Sequence, residues 1–433
     1  MTRLMTLIGL LGVISSISAQ TDAHVGRGQL SPPGAEDLLE VAGRLCTAVQ
    51  YGMEHSNWFH YRNFGTWSYE GAMVTRGLWE LQDTLPDLNL EPFLHKHLDF
   101  FLEEEDEFGY RILHNESLTY NDSSVVLPWI YSIGDNIGLF PVVYVDRLKY
   151  GTLQGGHTVE EDVYVISEVV EKYIYGYPWH LPDGTISRPI TWMEEGFLDM
   201  RGGGVWVDDM HMGTALLIEY ALISNDISHL VYAGHQLLLM SAILQDELGL
   251  MRHGYHFWTD HYSCCFWARG NGWALVAFTE FLSAADSMDL VTHDPDMYMR
   301  VMDLYNSHLG AILGRRGENG LWTNILTNNS TFFETSASAM FMMSLSRGYR
   351  NGWIYVDQDF TDTILQTWNS LLNNILQDGT VTNIIGGTGI KDNEEGYTPE
   401  NTDYPNSSPG IGAVLRATAE VSRFLAWKEK SQS

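Results

Sequence analysis

The 433-residue sequence contains few cysteines and few basic residues. It has 3 Cys, and its 24 Lys+Arg face 55 Asp+Glu, which gives a formal net charge of −31. Three cysteines are too few for a disulfide scaffold, and a chain of this length can bury a core that folds without one. The shortage of Lys and Arg argues against a nucleic-acid-binding protein, because neutralising phosphates requires clustered basic side chains.

The sequence also lacks a long apolar run beyond its N-terminus. The nearest candidate, Leu230–Leu250, contains His235 and Asp246, which argue against a membrane span. At the N-terminus, the apolar run Leu4–Ile14 is preceded by one basic residue and followed by small residues, which is the pattern of a signal peptide. We therefore predict a signal peptide over residues 1–19 and a secreted protein that does not contact a membrane.

Apolar and aromatic residues are abundant. Hydrophobic residues make up 45% of the chain and charged residues 18%, a balance that indicates a globular protein with a large core. The 14 Trp and 22 Tyr suggest a surface on which a sugar could stack. Asn-x-Ser/Thr sequons, which predict a glycoprotein if the host is eukaryotic, begin at Asn115, Asn121, Asn328, Asn329 and Asn406.

Helical periodicity dominates the chain after the predicted signal peptide. Apolar residues recur at three- and four-residue intervals in twelve segments, which are separated by clusters of Gly, Pro, Asn and Asp. The segments are Ala35–Tyr51, Tyr69–Asp83, Leu90–Glu104, Gly134–Lys149, Val159–Tyr173, Asp208–Ser224, Ile227–Glu247, Gly272–Ala285, Asp294–Leu313, Glu334–Arg350, Val356–Leu376 and Gly410–Lys428.

Every second helix opens on an unusual string, and these openings recur at intervals of about 60 to 75 residues. A two-helix unit repeated six times predicts an all-α (α/α)6 barrel, a closed double ring of twelve helices that forms a single domain over residues 20–433. The inner helices would present their N-termini at one end, where partial positive charge favours the carboxylate of a ligand.

Carboxylates at two of these openings are candidates for proton transfer. Asp208 and Asp209 follow Trp206, and Asp135 begins the fourth helix; each could instead be only a helix cap. A pair of carboxylates from neighbouring helices would suit acid–base chemistry on a sugar, because a like-charged neighbour raises the pKa of one of them.

The string at residues 267–273 is the most specific in the chain. Trp267 and Trp273 flank Arg269, whose planar guanidinium suits a carboxylate, while the indoles suit a sugar ring. Alternatively, the arginine only packs on the tryptophans and holds the loop.

Three histidines and two cysteines follow one another in the segment before this string, but their spacing matches no common zinc pattern. They are His253, His256, His261, Cys264 and Cys265. The sequence also has no nucleotide-binding fingerprint and no Gly-x-Ser-x-Gly motif. We therefore predict no metal and no cofactor.

Several of these strings resemble glycoside hydrolase family 105, the unsaturated rhamnogalacturonyl hydrolases, and more distantly the unsaturated glucuronyl hydrolases of family 88. The matching strings are residues 206–209 with Met212, residues 267–273, residues 334–341, residues 387–389 and residues 410–413. The resemblance implies an (α/α)6 barrel, in agreement with the helix count. His211 departs from it, because the family usually has a bulky hydrophobic or aromatic residue there.

The resemblance also implies roles for individual residues. Asp208 takes the position of the general acid/base, and Asp135 matches a second carboxylate in the pocket. His253, Trp267, Arg269 and Trp273 match substrate-contact positions. The helix openings add further candidates for substrate binding, namely Trp67, Tyr69, Trp206 and Asp209.

The implied substrate is a small anionic oligosaccharide left by a polysaccharide lyase, with a 4-deoxy-hex-4-enuronic acid at its non-reducing end. The enzyme would hydrate the C4=C5 enol ether of this sugar and act as a monomer. Alternative substrates are lyase products of ulvan, glycosaminoglycan or arabinogalactan. Alternative functions are a polysaccharide lyase on the same helical toroid and a non-catalytic sugar-binding protein.

Overall fold

The computed structural model describes residues 35–55, 69–99, 104–105, 111–112, 138–139, 141–151, 158–190, 199–397 and 405–432. The predicted signal peptide and two candidate site residues, Trp67 and Asp135, lie outside the described residues. Helices dominate the part of the chain that is described. In chain order they are α1 (Ala35–His55), α2 (Tyr69–Thr84), α3 (Glu91–Asp99), α4 (Val142–Tyr150), α5 (Val159–Val169), α6 (Asp209–Met212), α7 (Ala215–Ser224), α8 (Ile227–Leu244), α9 (Ala268–Ser287), α10 (Leu290–His293), α11 (Pro295–Leu313), α12 (Thr335–Asn351), α13 (Thr361–Leu372) and α14 (Ser408–Gln432).

Six of these helices form a closed inner ring. Contacts run in order through α2, α4, α7, α9, α12 and α14, and α14 packs against α2 to close the ring. The helices α1, α3, α5, α8, α11 and α13 pack on the outside of their inner neighbours. Among the described helices, α6 and α10 are additional single turns, so the longer helices number the twelve that the periodicity predicts.

Glycines allow the inner helices to approach one another closely. A Cβ on Gly412 of α14 would lie 2.6 Å from the carbonyl carbon of Met73 on α2, and one on Gly77 would lie 2.6 Å from Cβ of Leu415. Any larger residue at these two positions would push α2 and α14 apart, at the contact that closes the ring.

Several predicted helix boundaries differ from the structure, such as the predicted Val356–Leu376 against the observed Thr361–Leu372, and two of the differences have a clear local cause. The segment predicted as one helix over residues 208–224 is divided into α6 and α7, because Gly213 and Thr214 form a turn in which the amide of Thr214 bonds to the carbonyl of His211. The described part of the fourth predicted helix begins at Val142, directly after Pro141, which lacks the N–H that a helix interior needs.

The helix α8 is long and apolar enough to cross a membrane by length and composition alone, which the sequence analysis did not expect. It packs against α7, α9 and α11, and Leu230, Leu237 and Met240 are among its buried residues. These contacts account for its apolar composition as one of the outer helices of the double ring.

A four-stranded antiparallel sheet covers one end of the ring. A separate short pair is formed by β1 (Glu104–Glu105) and β2 (Arg111–Ile112). The strands of the four-stranded sheet are β3 (Arg188–Ile190), β4 (Asp199–Trp206), β5 (Gly254–His256) and β6 (His261–Tyr262), in that spatial order. Trp206 pairs with Gly254 at the end of β4, directly before the turn into α6. The sheet thus fixes the segment that carries Asp208.

Buried ion pairs fill the interior of the inner ring. Arg76 of α2 donates to Asp146 of α4, Glu219 of α7 and Glu280 of α9, at N···O distances of 2.9–3.1 Å. Arg416 of α14 reaches the same Glu280 at 2.6 Å. Because α2 and α9 are not neighbours in the ring, the guanidinium groups of Arg76 and Arg416 connect inner helices across the interior of the ring.

This cluster of charges lines a cavity of about 460 Å³ at the C-terminal ends of the inner helices. Glu80, at 2.8 Å from Arg416, belongs to it. Burial raises the pKa of Glu80, but Arg416, Arg347 and Arg423 outweigh burial and lower it to about 2. Glu80 is therefore ionised at neutral pH, whereas burial raises the pKa of Asp146, the partner of Arg76, to about 7.

The substitution Arg416→Ala should lower the free energy of unfolding by about 3–5 kcal/mol, because it removes a buried guanidinium that pairs with both Glu80 and Glu280 and leaves part of their buried negative charge uncompensated. Arg423→Ala is the matched control, since the side chain of Arg423 is 22% exposed and also pairs with Glu80. It should cost about 1 kcal/mol or less. Urea unfolding of both variants measures the difference, and equal losses would show that the cluster does not hold the ring.

Candidate active site

A cavity of about 200 Å³ opens at the other end of the ring, where the inner helices begin. Six of the predicted site residues line it: Tyr69, Trp206, Asp208, Trp267, Arg269 and Trp273. The rest of the wall is formed by Arg188, Met212, Gly387, Thr388 and Gly389. The structure thus brings together, on one surface, residues that lie far apart in the sequence.

Asp208 is the residue at the N-cap position of α6, but its side chain makes no capping hydrogen bond. The alternative that it is only a helix cap is therefore wrong. Its carboxylate is partly exposed to the cavity, and its Oδ2 lies 3.3 Å from Nε2 of His253. The carboxylate is thus available both to a ligand and to this histidine.

The pKa of Asp208 lies below its ordinary value. Burial raises this pKa, but the contact with His253, together with the charges of Arg188 and Arg269, outweighs burial. The sequence analysis expected a like-charged neighbour to raise the pKa of one pocket carboxylate. In the described part of the chain, guanidinium groups face Asp208 instead, so the resting carboxyl group is ionised.

His253 lies behind Asp208 rather than on the cavity wall. Its side chain is fully buried between the indoles of Trp206 and Trp267, with ring centroids 5.6 and 4.6 Å away. Its Nδ1 lies 2.7 Å from the hydroxyl oxygen of Tyr397. It contacts Asp208 and Tyr397, and it does not line the cavity in which a sugar would bind.

Arg269 is also buried and holds a loop of the cavity wall. Its guanidinium stacks on Trp267 at 4.7 Å and donates to the carbonyls of Ile385 and Gly386 at 2.6 and 2.5 Å. Glu334, the N-cap of α12, accepts from the amide of Ile385. Both side chains therefore fix the start of the segment whose next residues, 387–389, line the cavity.

Arg188 is a site residue that the sequence analysis did not predict. It lines the cavity, stacks on Trp206 at 4.6 Å, and forms a two-bond pair with the carboxylate of Asp209 at 2.7 Å for each bond. Asp209, predicted to bind substrate, is only 1% exposed and serves as the partner of this arginine. No local pattern links the two residues, because they come from β3 and from the first turn of α6.

His211 connects the cavity to the buried ion pairs. Its ring stacks on Trp273 with centroids 5.4 Å apart and planes 7° apart, and its Nδ1 lies 3.3 Å from Oε2 of Glu280. Burial lowers the pKa of His211, which favours the neutral ring. A flat ring at this position thus supports the indole of Trp273, as an aromatic residue would.

The histidines and cysteines suspected of binding metal point to different partners. His256 accepts from the amide of Thr259, His261 lies 2.9 Å from Asp392, and Cys264 and Cys265 are bonded to each other. Within the ranges that the structure describes, no group of three or more potential ligands could hold a metal ion.

The sequence matches a known family over most of its length. The model of Glycosyl Hydrolase Family 88 matches residues 156–425. The unsaturated rhamnogalacturonyl hydrolase YesR of Bacillus subtilis (strain 168) is 24% identical over 243 residues, which cover 55% of this chain and 64% of YesR. The match therefore spans less than two thirds of that relative. These similarities confirm the resemblance that the motifs indicate.

Solved structures share the fold. A possible member of the GH105 family from Klebsiella pneumoniae subsp. pneumoniae has a TM-score of 0.71 at 16% identity, covering 92% of this chain and 98% of that chain. The unsaturated glucuronyl hydrolase of Bacillus sp. GL1 has a TM-score of 0.54 at 16% identity, covering 88% of this chain and 94% of that chain. The predicted (α/α)6 toroid is thereby confirmed.

The substitution Arg269→Ala should destabilise the protein by about 2–5 kcal/mol, because two buried carbonyls lose their donor. Arg269→Lys should shift stability in the same direction, since an ammonium cannot reproduce the planar fork. Thermal and urea unfolding measure the loss, with the exposed Arg300 on α11 as the control for an Arg→Ala change. A normal stability combined with a large increase in KM would instead make Arg269 a substrate contact.

Proposed function

The chain belongs to glycosyl hydrolase family 88, and from this premise we propose that it removes the unsaturated uronyl residue from the non-reducing end of lyase-generated oligosaccharides. The observation that carries the proposal is Asp208, a carboxylate without a capping role in a small cavity that is lined by three indoles and two arginines. Such a cavity suits one sugar ring that carries one negative charge.

Arg188 is the better candidate for the contact with the uronate carboxylate. Its guanidinium is held in place by Asp209 and by the face of Trp206, and it lines the same cavity as Asp208. Arg269 adds positive charge to the same cavity, although its N–H groups donate to the carbonyls of the 385–386 segment. The substrate's carboxylate would thus enter a region of positive potential within a strongly acidic protein.

The reaction needs one group that gives and takes a proton. Asp208 would protonate C4 of the enol ether, which leaves positive character at C5, shared with the ring oxygen. Water would add at C5 and return a proton to Asp208. The resulting hemiketal then opens and releases the next sugar. One acid/base suffices, unlike the acid and nucleophile of a retaining glycosidase.

The lowered pKa of Asp208 means that the free enzyme must gain a proton before it can act as an acid. Binding of the anionic substrate supplies the cause, because its carboxylate would offset the charges of Arg188 and Arg269 that lower this pKa. Asp135, which the resemblance places in the pocket, would act in the same direction as a like charge. Its role stays a prediction, since it lies outside the described residues.

The similarity to YesR supports a rhamnogalacturonan-derived substrate, in which rhamnose follows the unsaturated uronate. The solved glucuronyl hydrolase from Bacillus sp. GL1, responsible for the degradation of glycosaminoglycan, makes other lyase products the alternative. We further propose that the enzyme acts outside the cell, on the strength of the leader-like N-terminal segment.

A panel of unsaturated disaccharides from pectin, ulvan, glycosaminoglycan and arabinogalactan digests tests the function. The enoate absorbance should fall fastest with the rhamnogalacturonan product, because hydration removes the C4=C5 bond. A faster fall with another disaccharide would reassign the substrate. A rise with intact polysaccharide would identify a lyase, and binding without any change would identify a sugar-binding protein.

Asp208→Asn should reduce turnover at least about 10²-fold while the fold is retained, because the amide has the same shape but cannot exchange the proton. Asp296→Asn, at an exposed position on α11, is the control for the same chemical change. Circular dichroism and melting temperature verify folding of both variants. Turnover within tenfold of wild type would remove Asp208 from this role.

The pH dependences of kcat/KM and kcat should differ. Because the pKa of Asp208 is low in the free enzyme, kcat/KM should fall as the pH rises over about pH 5 to 8. If the bound carboxylate raises this pKa, kcat should stay level to a higher pH. Steady-state kinetics across this range measure both, and a shared midpoint would show that the substrate does not change the protonation of Asp208.

A further inference from the structure

Tyr397 is a buried residue that belongs to none of the sequence motifs and does not line the cavity. Its side chain is fully buried, and its hydroxyl lies 2.7 Å from Nδ1 of His253. The backbone amide of Lys391 donates to the same hydroxyl oxygen at 3.2 Å. The phenol is therefore placed between a fixed donor and one nitrogen of the histidine that contacts Asp208.

We propose that Tyr397 is a positioning residue that fixes the tautomer of His253, so that the Nε2–H of the imidazole faces the carboxylate of Asp208. The proposal rests on the proposed function only for its effect on turnover. Its structural part concerns a single proton, and it can be tested without any substrate.

The tautomer follows from counting donors and acceptors. The amide of Lys391 can only donate, so it occupies a lone pair of the Tyr397 oxygen. Among the described residues, Nδ1 of His253 is then the one acceptor within hydrogen-bond distance of the phenol hydrogen. The opposite arrangement would leave a buried O–H without an acceptor, which is costly.

With the phenol donating to Nδ1, the neutral ring carries its proton on Nε2. That nitrogen lies 3.3 Å from Oδ2 of Asp208, where a proton attracts the carboxylate and a lone pair would repel it. The orientation of Asp208 toward the cavity thus depends on a proton that Tyr397 places. A wrong histidine tautomer is known to be severe in other enzymes, at a cost of about 10⁴-fold in one protease.

Tyr397 is itself held in position from several sides. Its carbonyl accepts from Nδ2 of Asn324 at 2.8 Å, and its ring packs with Trp267, Ile325 and Ile385. Tyr397 ends the segment 390–397, which begins with Ile390. The side chain of Ile390 packs directly on Gly254, because a Cβ added to Gly254 would lie 2.0 Å from Cδ1 of Ile390. The segment 390–397 is therefore clamped onto the strand that follows His253, and Tyr397 cannot easily turn away.

The variant Tyr397→Phe tests the proposal because it removes one oxygen and keeps the packing. We expect kcat to fall about 10- to 100-fold, the size of loss seen when a metal-bound histidine loses its outer hydrogen-bond partner, with KM changed less than about twofold. Tyr305→Phe is the matched control, since Tyr305 is equally buried and donates to the carbonyl of Ser344 on α12. It should lose stability without losing kcat.

Nitrogen NMR of ¹⁵N-histidine-labelled protein reads the tautomer directly. The chain has 16 His, so His253→Gln assigns the signals. Wild type should show a protonated Nε2 and an acceptor-type Nδ1, and Tyr397→Phe should lose this pattern. A protonated Nδ1 in wild type, or an unchanged kcat in a folded Tyr397→Phe variant, would overturn the proposal. If no unsaturated sugar is turned over by wild type, the proposed function fails, while the NMR result still decides the tautomer.

Discussion

Buried ion pairs between arginines and carboxylates hold the inner ring of helices together. Arg76 and Arg416 both reach Glu280, from the neighbouring helices α2 and α14, and the cluster lines the cavity at the C-terminal ends of the inner helices. Two buried arginines and their carboxylates stabilise the ring only as a complete set, because each unpaired charge would be costly in the interior. The packing of the inner helices, and with it the cavity between their N-terminal ends, depends on this set.

The cavity is connected to the ion pairs through Glu280. This carboxylate contacts His211, whose ring lies flat against Trp273 on the cavity wall. A neutral histidine can serve both neighbours at once, since one face packs on the indole while Nδ1 reaches the carboxylate. The departure from the family's usual hydrophobic residue at this position therefore has a structural explanation in this chain.

The residues that surround Asp208 fall into two groups by their exposure. Tyr69, Trp206 and Arg188 are partly exposed and face the open cavity, where they could touch a sugar. Trp273 and Arg269 also line the cavity but are buried, as are His253 and Tyr397 behind Asp208. Of these, Arg269 donates to the carbonyls of the 385–386 segment, and Tyr397 contacts His253. This division explains why a string as specific as residues 267–273 contains both a wall residue and a residue that holds a neighbouring loop.

Periodicity alone determined the double ring, because apolar residues must recur at helical intervals if every inner helix is to be buried on most of its surface. The motifs also located Asp208 and the indoles, since their chemistry is carried by adjacent residues. Only the tertiary structure decided what each arginine does: Arg188 pairs with Asp209, and Arg269 serves two carbonyls more than a hundred residues away. Such pairings depend on which loops meet at the mouth of the ring, and no local pattern in the sequence encodes that meeting.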